Sequence, residues 1–106
     1  MAIELLITNR DTGTLELAPV ATSDVFRRYW RKGCAELKLH LIPRFEDGIQ
    51  DFTRSEIPMV IKELQLLGKW FQQTQSPKEA SALIGRVNST TRAFERVLKD
   101  PRLSIG

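Results

Sequence analysis

The chain reads as a two-layer α+β domain: a small mixed sheet built on an N-terminal β-hairpin, with three helices on one face, in the order ββαβααβ. Three observations carry that expectation. Period-two alternation flanks an Asn/Asp/Gly-rich turn near the N-terminus, three later segments show three-four spacing of apolar residues, and the period returns to two between the first and second of these.

In the hairpin, Ile3, Leu5 and Ile7 face one way and Glu4, Leu6 and Thr8 the other. After Asn9-Arg10-Asp11-Thr12-Gly13, Leu15 and Leu17 alternate with Thr14, Glu16 and Ala18. Gly13 is the natural left-handed residue of such a turn. One face of the pair is mostly apolar and the other mixed, so the sheet is expected to cover a core on one side only.

Thr22, Ser23 and Asp24 supply the start of the first helix. Its apolar stripe is Phe26, Tyr29, Trp30, Gly33, Cys34 and Leu37. From Lys38 to Phe45 the alternation of Leu39 and Leu41 against Lys38 and His40 predicts a short third strand, limited by Pro43. An acidic connector, Phe45 to Phe52, leads to a second helix that starts near Thr53 or Ser55, with Pro58 in its first turn where a missing N–H costs nothing. Its stripe is Ile57, Val60, Ile61, Leu64, Leu67, Gly68 and Phe71. Ser76-Pro77-Lys78-Glu79 is a capping-box start with proline at the first helical position. The third stripe is Ala80, Leu83, Ile84, Val87, Thr91, Phe94 and Leu98; Pro101 stops that helix and leaves residues 102–105 as a closing strand.

With 106 residues, 42% of them hydrophobic, one core can form without disulfides or metal, and nothing in the pattern divides residues 1–106 into more than one domain. Ordinary Gly and Pro content and a single cysteine exclude a collagen, a disulfide scaffold or a disordered tail. No apolar run approaches the length of a spanning helix or a signal sequence, so a soluble, cytoplasmic protein without membrane partners is expected.

No stretch of the sequence offers a recognisable catalytic set. His40 is the only histidine and has neither a positioned partner nor metal-ligand spacing around it. Cys34 lies in an apolar stripe, where a thiol behaves as a small hydrophobe. Glu46, Asp47, Asp51 and Glu56 do not match a calcium loop and read as a solvated connector, although a paired-carboxylate site would use the same residue types. Phosphate-loop, dinucleotide, zinc-protease and nucleophile-elbow motifs are absent from the sequence. Neither a metal site nor a cofactor is expected, and binding is the better default than catalysis.

Two surfaces suggest what is bound. The second helix carries Met59, Leu66 and Trp70 on the side away from its core stripe, where a surface helix normally carries charge. Exposing three such side chains forgoes roughly 1.5–3 kcal/mol of burial apiece. Either another helix of the chain covers this flank, or it docks a protein partner or a second copy. The leading expectation is therefore a non-catalytic protein-interaction module of inhibitor, immunity or adaptor type, plausible as a homodimer. The alternative is nucleic-acid binding. The chain has a net charge of +3, with the positive excess in residues 21–40 and 77–106. Arg27, Arg28 and Arg31 on the first helix and Arg92 and Arg96 on the third fall opposite the apolar stripes. Arg27/Arg31 and Arg28/Lys32 are like-charge i,i+4 pairs, each mildly destabilising (about 0.2–0.5 kcal/mol) unless something neutralises it.

Overall fold

A computed structural model describes residues 2–48 and 51–106. Strands β1 (Ala2–Asn9) and β2 (Leu15–Thr22) form the hairpin, and β3 (Leu103–Ile105) closes the sheet in the order β2-β1-β3. Both pairings are antiparallel, so the sheet is not mixed. No parallel crossover is made because the closing strand returns directly from the last helix.

The hairpin turn fixes which side chains reach the core. Asn9 Oδ1 accepts from the Asp11 and Thr12 amides, Gly13 N–H donates to the Asn9 carbonyl, and Gly13 has φ +72°. The resulting register pairs Leu5 with Ala18, Leu6 with Leu17, Ile7 with Glu16 and Thr8 with Leu15. Directly opposed residues share a face. Ile3, Leu5 and Ile7 are accordingly buried under the helices, while Leu15 and Leu17 lie with Leu6 on the outer face.

Helix α1 spans residues 23–37. The Thr22 hydroxyl accepts from Val25 N–H at its start, and a π-helical turn, Phe26–Trp30, is inserted between helical pieces Ser23–Val25 and Arg31–Leu37. The insertion leaves Phe26 and Trp30 both fully buried and stacked, with ring centroids 5.5 Å apart. The helix ends in a Schellman motif: Leu39 N–H donates to Cys34 O, and Lys38 N–H to Ala35 O. Lys38 takes the left-handed position, φ 56°, that glycine usually fills.

The expected third strand does not form. Residues Ile42–Asp47 instead make a 3-10 helix, giving four helices in place of three. Two causes are visible: Lys38 turns the chain out of extended geometry, and the amides of His40, Leu41 and Ile42 all converge on the Glu63 carboxylate at 3.1–3.3 Å. Three amides aimed at one acceptor cannot also alternate along a strand. Of the acidic connector, residues 49 and 50 lie outside the described residues. Its two ends bring Phe45 and Phe52 into the core, packed on Phe94 at 6.0 and 5.6 Å.

Helix α2 (Ile57–Thr74) is entered through a reciprocal box in which Thr53 N–H donates to Glu56 Oε1 and Glu56 N–H donates to Thr53 Oγ1. Glu56 holds the cap position of the helix proper, so neither Thr53 nor Ser55 is its cap, and the Thr53 box closes the turn that leads into it. Helix α3 (Pro77–Lys99) begins with Ser76 accepting from Glu79 N–H. Its buried line is Ala80, Leu83, Val87, Thr90, Phe94 and Val97, so the stripe follows residues 90 and 97 where the sequence pattern pointed to 91 and 98. Arg54 satisfies the end of α3: its guanidinium donates to the carbonyls of Val97, Leu98, Asp100 and Leu103. This side chain ties the last helix to β3, in the place of a local cap.

Candidate functional site

The flank of α2 singled out in the sequence is divided by the structure. Trp70 is half-buried inside the chain. Its indole lies over Gly33 of α1, where an added Cβ would come within 2.9 Å of Cε3 and 2.5 Å of Leu67 Cδ1, and its ring packs on Phe71 at 5.6 Å. Gly33 thus permits a close crossing of α1 and α2 that covers one end of the flank. Glu63, one turn after Met59, occupies the middle and is bound to the 40–42 amides. Met59 and Leu66 stay outside, 59% and 41% exposed. The covering-helix reading therefore holds for Trp70, and two separated apolar side chains remain in solvent.

A more continuous apolar surface lies elsewhere. Leu15 and Leu17 are 63% and 54% exposed, and Leu17 sits directly beside half-buried Leu6 across the β1–β2 ladder. Three leucines on neighbouring positions of one sheet face are close enough to act as one contact. On the opposite face, Glu16 pairs with Arg96 of α3 at 2.7 Å. The sequence contained this feature as the odd phase of the second alternation, but the register that turns it outward depends on the turn.

The arginines of the alternative site are placed as follows. Arg27 pairs with Asp24 at 3.2 Å, Arg31 makes a two-pronged contact with Glu46, and Arg96 is held by Glu16. Arg28 and Arg92 are exposed and make no ion pair among the described residues. The like-charge pair Arg27/Arg31 is thus neutralised within the chain, by Asp24 and Glu46. Exposed pairs of this kind contribute little stability.

The residues weighed for chemistry are used separately. Glu46 meets Arg31, whereas Glu56 meets Arg44 at 3.0 Å and is held below the usual carboxylate range by the Thr53 amide first and by Arg44. The Asp51 carbonyl accepts from Arg44 Nη2, and Arg44 also lies over the Phe52 ring, 4.5 Å from its centroid. Among the described residues, no three His, Cys, Asp or Glu side chains are grouped so as to hold a metal ion. The His40 side chain is exposed. Cys34 is buried, and burial together with the nearby negative charge of Glu63 and Glu46 pushes its thiol up to about 12, leaving it protonated and a poor nucleophile at neutral pH. No helix among the described residues is long and apolar enough to cross a membrane.

A groove of about 340 Å³ runs between α1 and α3, floored by Val25, Tyr29, Ala82 and Leu83 with Glu79 and Arg86 at its rim.

Comparison with protein-family models, with curated proteins and with solved structures finds no match for the chain.

Proposed function

We propose that the chain is a non-catalytic protein-interaction module that docks through the outer face of its sheet, with Met59 and Leu66 of α2 as a second, smaller contact. One observation supports this reading above the others: Leu15 and Leu17, the former the most exposed large apolar side chain among the described residues, adjoin Leu6 on the outer face of the hairpin, away from the core residues Leu5 and Ile7. A contiguous apolar patch on an otherwise polar surface is what interaction sites present. The pairing of Glu46 with Arg31 and of Glu56 with Arg44, and the burial of the Cys34 thiol, favour binding over catalysis among the described residues. A free thiol as the sole cysteine is compatible with a reducing compartment, and we place the module in the cytoplasm.

The test is site-specific photo-crosslinking in cells that express the chain. A benzophenone side chain at position 15 is expected to give discrete protein adducts, and the same group at Ser81, on the polar face of α3, is not. Equal labelling from both positions, or none from position 15, would overturn the reading.

A further inference from the structure

Among the described residues, the order β2-β1-β3 leaves one side of β2 without a strand partner. Which peptide groups face that side follows from the ladder. Asn9 N–H donates to the Thr14 carbonyl at 2.9 Å, so Asn9/Thr14 is a hydrogen-bonded pair. Pair types alternate in an antiparallel ladder. With the observed register, Ile7/Glu16 and Leu5/Ala18 share that type, and the amides and carbonyls of Leu15 and Leu17 point outward. Pro19 also faces outward, offering a carbonyl but no N–H, and the register shift that follows it leaves Val20 unpaired. The open window is therefore short and bounded, by Gly13 of the turn at one end and by Pro19 at the other.

Native edges are normally blunted by lysine, inward-pointing charge or proline. Residues 15–18 contain no lysine or arginine, and their single charge, Glu16, is turned to the inner face and held by Arg96. The window is unguarded where its leucines are.

Building on the docking-face reading, we propose that this edge pairs with the β2 edge of a second copy, antiparallel, about a two-fold axis at Leu17. The strand is self-complementary in that register. The two Leu17 residues exchange a reciprocal pair of main-chain hydrogen bonds, and each Leu15 amide donates to a Pro19 carbonyl of the other copy. The N–H that Pro19 lacks is not needed for either contact. On the inner face Glu16 lies opposite Ala18 of the second copy. A shift that opposed Leu15 to Leu17 would instead set the two Glu16 carboxylates side by side at a non-hydrogen-bonded pair, where side chains are closest and like charges are unfavourable. On the outer face the chosen register aligns Leu6, Leu17, Leu17 and Leu6 in one row across the joined sheet. The interface is isologous and closes on itself, as a dimer rather than a filament.

The experiment uses the purified full chain. Its solution mass, followed across a wide concentration range, is expected to approach that of a dimer. Hydrogen exchange at the Leu15 and Leu17 amides should slow as the dimer forms. Leu17→Cys should cross-link to itself under mild oxidation, because opposed Cα atoms in such a pair sit about 5.5 Å apart, within disulfide reach. Leu15→Cys, more exposed but lying away from the axis, should not. Leu17→Lys should weaken self-association about tenfold or more; Leu17→Thr, which keeps strand propensity, should weaken it with the fold intact by circular dichroism. A dimer indifferent to both Leu17 variants would overturn the proposal, as would Leu15→Cys cross-linking in place of Leu17→Cys. A chain that is monomeric throughout would also overturn it, and adducts to a different protein from position 15 would then show that the docking face serves another partner.

Discussion

The two faces of the hairpin are made from the same chemistry and end in opposite environments. Ile3, Leu5 and Ile7 lie in the core under the helices, whereas Leu6, Leu15 and Leu17 line the outer side, where Leu15 and Leu17 are exposed. Hydrophobicity alone does not sort them. The turn does, because the pairing of odd β1 positions with even β2 positions places Glu16 and Ala18, not the leucines, beside the core residues. A slip of one residue would send Leu15 and Leu17 inward. A register that leaves burial unused, set by turn chemistry that is itself well satisfied, is a conflict between local and global preference of the kind found at functional surfaces.

The largest effect that should separate the faces comes from the inner one. Ile7 is 1% exposed, and Ile7→Ala is expected to cost about 2–5 kcal/mol in denaturant unfolding, through lost burial plus the cavity left behind. A cost below about 1 kcal/mol would mean that the inner face is loosely packed and that the contrast is overstated.

The turn comes next. Gly13 has φ +72° with open space around the position of a Cβ, so Gly13→Ala adds backbone strain without a clash. The expected cost is about 1–2 kcal/mol. Should amide exchange show the Leu5/Ala18 pairing replaced by a neighbouring register in that variant, the turn rather than the flanking strands would be confirmed as the element that chooses the face.

Much of this architecture is legible in the sequence. The hairpin, the Thr22 and Ser76 caps, the α2 stripe and the closing strand are local, and each is written in a few consecutive residues. What escaped is non-local. Glu63 binds amides more than twenty residues away, and Arg54 caps a helix end more than forty residues on. Neither side chain differs in sequence from an ordinary surface charge. Those contacts explain why residues 38–45 alternate like a strand and fold otherwise, with Lys38 in a left-handed conformation that no lysine advertises. On the α2 flank, a clue was present: Glu63 interrupts Met59, Leu66 and Trp70 on the same side of the helix, which a continuous docking stripe would not carry. Gly33 could have indicated the close crossing that takes Trp70 inside, but only once its partner helix was known. The Leu6/Leu15/Leu17 surface was the hardest to foresee, since the sequence shows the alternation and the turn decides its phase.

The smallest effect on stability belongs to the outer face, and it carries the most information. Leu17 is 54% exposed, so Leu17→Ser in the dilute chain should change unfolding free energy by no more than about 0.5 kcal/mol. The inner-face substitution would then exceed it several-fold although both remove an aliphatic side chain. At high concentration the two should part further. If the β2 edge pairs with that of a second copy and sets the outer leucines side by side, wild-type stability rises with protein concentration, because association favours the folded state by mass action. The Leu17→Ser chain should lose that dependence while keeping its dilute stability. A wild-type midpoint that does not move with concentration would leave the outer leucines without a partner copy, and a Leu17→Ser chain that still shows the full dependence would place the association on another surface, with Met59 and Leu66 the next positions to change.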